Sequence, residues 1–147
     1  MNIETILEMW KKDSLIDELR LDEASRDSAK LHSKYLELLT VNKLQLKRRE
    51  LEFQVLLKNK WLWYNGKMTK DAIDELGWEY DALNGLKILK GEMSYYYDAD
   101  PHIQAAQTRL AYLKTLLETL EEIMANIRWR HSNIKNMIDW RRFESGA

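Results

Sequence analysis

The chain has 147 residues, 45% hydrophobic and 32% charged, with a formal net charge of −1. That is one domain's worth of chain, able to build a core. With no cysteine there is no disulfide framework or thiolate metal site, and one proline with five glycines argues against a many-turned β architecture. Charge is distributed in blocks. Residues 41–70 hold eight Lys/Arg against two Asp/Glu, whereas residues 71–100 hold two against eight. A basic block can hold a polyanion. An acidic block can pair with a basic one, within the chain or on a neighbour.

Met1-Asn2-Ile3-Glu4 begins acidic, with no basic segment leading into an apolar one, so no signal peptide is expected. No run approaches the ~18 apolar residues of a membrane span. Ile3, Ile6, Leu7 and Trp10 recur at helical spacing and predict a short amphipathic helix over 3–12. Leu15, Ile16 and Leu19 continue an apolar face across a turn or break. From about Asp22 to Tyr64 one long helix is predicted. Leu31, Tyr35, Leu38, Leu39, Leu46, Phe53, Leu56, Leu57 and Trp63 line one side, with Leu44, Leu51, Val55 and Leu62 widening the stripe. The helix carries Lys43, Lys47, Arg48 and Arg49, and Asn65-Gly66 supplies the left-handed residue that ends it.

Its last turns, Leu57-Lys58-Asn59-Lys60-Trp61-Leu62-Trp63-Tyr64, bring two lysines beside three aromatics. Ammonium groups meet phosphates, and exposed rings stack on bases of any identity, so the run suits a single-stranded nucleic acid. From the residues alone the commoner reading is the core end of a helix with its lysines on the wet side. Residues 67–102 are less regular. Thr69 can cap a helix carrying Ile73, Leu76 and Tyr80, and Leu86–Lys90 fits a strand or a helical turn. Asp98-Ala99-Asp100-Pro101 has alternate carboxylates but lacks the rest of a calcium loop, and reads as a helix cap before a first-turn proline.

The last helix is the clearest periodic signal. Ile103, Ala106, Leu110, Leu113, Leu117, Leu120, Met124, Ile127, His131, Ile134 and Ile138 step by three and four, a heptad seam that must meet another helix. That partner is either the 22–64 helix or the same helix of another subunit. A second basic-aromatic cluster follows: Arg128, Arg130, Lys135, Arg141 and Arg142 around Trp129 and Trp140. No phosphate-binding loop, dinucleotide glycine pattern or serine-nucleophile signature is present, and the three histidines lack metal-ligand spacing. A non-enzyme without cofactor or metal is expected. The expected fold class is mainly α, an elongated helical bundle of residues 1–100 with a long C-terminal heptad helix over 101–147.

Four segments carry a family resemblance: Lys11-Lys12-Asp13, Ser33-Lys34-Tyr35-Leu36, the 57–66 run, and Ile134-Lys135-Asn136-Met137-Ile138-Asp139-Trp140-Arg141-Arg142-Phe143-Glu144. In that order and spacing the chain resembles the UvsY family, recombination mediators of T-even-like bacteriophages. The resemblance implies a self-assembling helical protein in the cytoplasm of an infected bacterium. Such a protein binds single-stranded DNA without catalysis and helps load a RecA-like phage recombinase onto a strand coated by the phage single-strand-binding protein. Lys58 and Lys60 occupy the family's two basic motif positions, the second being lysine where the family can carry arginine. Trp61, Trp63 and Tyr64 would add stacking, and Lys47, Arg48 and Arg49 further charge. Replacing Lys58 and Lys60 together should then weaken DNA binding and flatten its salt dependence. Leu110, Leu113, Leu117, Leu120, Met124, Ile127, Ile134 and Ile138 would form the oligomer seam, which deletion from about residue 126 should break. The 67–102 segment matches the family least and receives no functional residue. The alternative is a helical scaffold or adaptor whose charge blocks serve only self-assembly.

Overall fold

In the computed structural model, which describes residues 1–146, five helices follow one another: α1 (Ile3–Asp13), α2 (Leu21–Tyr64), α3 (Lys70–Leu76), α4 (Met93–Ala99) and α5 (Pro101–Glu144). No strand occurs among the described residues, and Leu86–Lys90 is irregular. The chain divides into two units. Unit 1 is Met1–Gln45 with Leu113–Ala147, and unit 2 is Leu46–Tyr112.

Unit 1 is built around α5. Leu116, Leu117, Leu120, Ile123, Met124, Ile127 and Ile134 are buried there together with Ile6, Leu21, Tyr35 and Leu39 of the first two helices. The heptad seam is therefore covered within the chain itself. Leu117, Leu120, Met124, Ile127 and Ile134 serve as core and are unavailable as the expected intersubunit seam, because the stripe is already buried against α1 and α2. Leu113 and Ile138 are half-buried at its margins. His131 is exposed rather than on the seam, its Nδ1 2.8 Å from the Arg128 carbonyl oxygen. Deleting residues from 126 onward would remove core and not merely an interface. In the part of α5 that belongs to unit 1, Trp129, Trp140 and Phe143 face outward, the last two stacked at 5.4 Å.

α1 starts where the Asn2 side chain accepts the Thr5 amide. It docks Trp10 edge-on against Tyr35, 5.4 Å between centroids. At its last residue the Asp13 carboxylate takes the Lys34 ammonium at 2.6 Å and the Tyr35 hydroxyl at 2.8 Å. Arg130 donates from its two terminal nitrogens to the carbonyls of Ser14 and Leu15 at 3.2 and 3.1 Å. These bonds hold the connecting loop. Leu15 and Leu19 within that loop point to solvent and do not extend the α1 face as the spacing suggested.

In unit 2, left-handed glycines end two helices. Gly66, at φ +67°, ends α2, and the Lys67 amide turns back to donate to the Leu62 carbonyl at 2.8 Å. Gly77, at φ +73°, ends α3, whose Thr69 cap accepts the Ala72 amide. Neither position suits an L side chain. α4, which the sequence pattern did not announce, holds the three consecutive tyrosines. Tyr97 reaches the Leu57 carbonyl, and Tyr96 lies 5.8 Å from Tyr64. Asp100 then caps α5 as expected, its Oδ1 accepting the amides of His102 and Ile103 at 2.9 and 3.0 Å. Leu110 and Ile103 are buried in this unit, so Leu110 too is core. On α2, Leu44, Leu51 and Val55 are exposed and do not widen the packed stripe.

Candidate nucleic-acid interface

The last two turns of α2 sort their side chains by helical spacing. Lys58 and Trp61 are three apart and share the outward face, whereas Lys60, Trp63 and Tyr64 share the inward one. Lys58 is exposed and enters no ion pair among the described residues. Trp61 is 41% exposed, and the Lys67 ammonium lies 4.6 Å from its ring centroid.

Lys60 overturns the surface role assigned to it from sequence. It is 1% exposed, its Nζ 3.0 Å from the Asp100 carboxylate and 2.8 Å from His102 Nδ1. Trp63 and Trp78 wall the ammonium at 4.3 and 4.0 Å from their ring centroids. Two indole faces are a favourable seat for a desolvated cation. Burial pushes the Lys60 ammonium below its ordinary value, and Asp100 beside it pulls the other way. Burial also works to raise the Asp100 carboxyl. Hydrogen bonds from Tyr64, the Ile103 amide and Lys60 outweigh it and hold the group below the usual carboxylate range. The Lys60 and Asp100 side chains face each other at 3.0 Å in the interior, with no open side for a phosphate.

Trp63 and Tyr64 are likewise committed. The Trp63 indole N–H donates to the Glu79 carbonyl at 2.7 Å, and its ring packs on Trp78 at 5.3 Å. The Tyr64 hydroxyl donates to Asp100 at 2.6 Å, and burial foremost raises it above the ordinary phenol value. Both are half-buried and support the cage rather than offering open stacking faces. Of the upstream cations, Arg48 and Arg49 are exposed and converge on Glu52 at 3.4 and 2.9 Å. Lys47 is exposed and in no ion pair among the described residues. Sequence reasoning missed Lys67, Trp78 and His102. Trp78 and His102 lie in the segment where the family resemblance is weakest, and Lys67 approaches Trp61 only because Gly66 reverses the chain.

No group of three or more His, Cys, Asp or Glu side chains that could hold a metal ion occurs among the described residues. Among the described residues no helix is long and apolar enough to cross a membrane.

The profile of the family described as "Recombination, repair and ssDNA binding protein UvsY" matches residues 9–147. The chain is 29% identical to the recombination protein uvsY of Enterobacteria phage T4 over 146 residues, 99% of each sequence. It is similar to a crystal structure of the bacteriophage T4 recombination mediator protein UvsY, with a TM-score of 0.84 at 28% identity, covering 99% of this chain and 98% of that one. In a second lattice the TM-score is 0.82 at 27% identity, over 95% and 98%. With a profile match over nearly its whole length and the same helical fold, the chain belongs to the UvsY family of recombination, repair and single-stranded-DNA-binding proteins.

Proposed function

We propose that the protein is a recombination mediator that acts without catalysis. It binds single-stranded DNA and helps a RecA-like recombinase replace the single-strand-binding protein, in the cytoplasm of the phage-infected host. The observation that carries this reading is the outward pairing of Lys58 with the exposed Trp61 ring in a chain of this family. An ammonium and an open indole one helical turn apart provide a phosphate contact and a sequence-tolerant stacking surface. Lys47, with Arg48 and Arg49, extends the positive surface along α2. Assembly into a homo-oligomer would multiply weak contacts through effective concentration. Since the heptad seam is internal, the exposed Trp129, Trp140 and Phe143 are the candidate contacts for that assembly.

The test is a tryptophan-fluorescence titration with poly-dT at two salt concentrations, with sedimentation in the same buffers. An assembled protein whose emission is quenched, less so at high salt, is the expected result. Trp61→Ala should lose about 1–3 kcal/mol of binding free energy, the range for one stacked base. A well-assembled protein with no response to poly-dT would favour the scaffold reading. The Arg48 and Arg49 pairs with Glu52, which already occupy part of the basic block, lend that alternative some weight.

A further inference from the structure

The Lys58–Lys60 pair suggests two phosphate contacts, yet only one of these ammonium groups is on the surface. For Lys60 to meet a phosphate it would have to leave both indole faces and its hydrogen-bonding partners. That would strand Asp100, a buried carboxylate, without its cation. Stripping one partner from a buried pair is strongly unfavourable. A second exposed cation stands on the other side of Trp61. Gly66 reverses the chain, the Lys67 amide fastens to Leu62, and the Lys67 side chain is brought over the Trp61 ring, 4.6 Å from its centroid. The ring is therefore flanked by Lys58 one helical turn before it and by Lys67 just past the helix end. An exposed cation–π contact is weak and easily surrendered. A base arriving on the indole can take that face while the displaced ammonium moves to the adjoining phosphate.

We propose that the strand is held by Lys58, Trp61 and Lys67, with Lys67 and not Lys60 as the second phosphate contact, and that Lys60 pins α2 to the start of α5 through Asp100. This rests on the single-strand reading above and assigns its cations.

Poly-dT affinity of the full chain as a function of salt tests it, because each phosphate contact on a single strand adds about 0.7 to the steepness of the log–log plot. Lys58→Gln and Lys67→Gln lie on the surface and should each flatten the plot by about that amount and weaken binding several-fold. The double variant K60M/D100N removes the buried charges together. Its methionine refills the indole cage, and its asparagine still caps α5. It should keep the wild-type slope and an affinity within about twofold. The proposal is overturned if Lys67→Gln leaves the slope unchanged, or if K60M/D100N loses as much slope as Lys58→Gln. If circular dichroism shows the double variant unfolded, the Lys67→Gln slope decides alone. Wild-type protein that ignores poly-dT would instead bring down the single-strand reading itself, whatever the lysine variants do.

Discussion

Asp100→Ala is expected to destabilise unit 2 by about 3–5 kcal/mol, the range for removing one partner of a buried ion pair. The Asp100 carboxylate carries three loads: it neutralises Lys60, accepts the Tyr64 hydroxyl, and caps α5 through the amides of His102 and Ile103. Alanine removes all three and leaves an ammonium between two indoles with no counter-charge. Asp100→Asn should fall between, since it keeps the cap and an acceptor for Tyr64 but not the charge. Urea unfolding followed by circular dichroism measures the difference. A loss under about 1 kcal/mol for Asp100→Ala would mean that Lys60 leaves the cage for water at little cost, contrary to the pin described above.

Arg130→Ala is expected to cost about 3 kcal/mol in unit 1, because it deletes two charge-assisted hydrogen bonds from a buried side chain. Those bonds hold the Ser14 and Leu15 carbonyls. Arg130→Lys should recover only part of this, since one ammonium cannot reproduce the two-pronged donation of a guanidinium. Near Arg130, Asp13 titrates below the ordinary carboxylate range. Burial opposes ionisation there, but Lys34 and Tyr35 hydrogen bonds and the Lys34 and Arg130 charges prevail. A depressed carboxylate contributes stability above its unfolded value, near 4, and loses it as pH falls through the folded value. The gap between wild type and Arg130→Ala should accordingly narrow in acid. A gap that held constant from neutrality to strong acid would show that Asp13 is not coupled to Arg130.

The long helices were legible because apolar spacing and the turn at Asn65-Gly66 are local signals. Likewise Asp100-Pro101 announced the start of α5 from two residues. The partner of the heptad seam was not legible, since a seam specifies that it is covered without specifying which chain covers it. α4 was hidden because Tyr95, Tyr96 and Tyr97 have no helical period of their own. Only part of the 57–66 run faces outward, and helical spacing accounts for it. Residues 58 and 61 share one helical face, while 60, 63 and 64 share another, so the two lysines could not both lie beside open rings. The cage itself needed Trp78 and Asp100, 18 and 40 positions beyond Lys60, and only the folded chain brings them there.

The same cage divides the lysines of this region by chemical reactivity. An acylating reagent must meet a free amine, and Lys60 is walled by indoles and a carboxylate while Lys58 and Lys67 stand in water. Brief treatment with an acetyl donor, read by mass spectrometry, should label Lys58 and Lys67 and spare Lys60. Adding poly-dT should then shield the first two and leave the third as unreactive as before. Acetylation, which erases the charge of a lysine, would on this arrangement silence the strand-facing cations while leaving the ion pair beneath them intact.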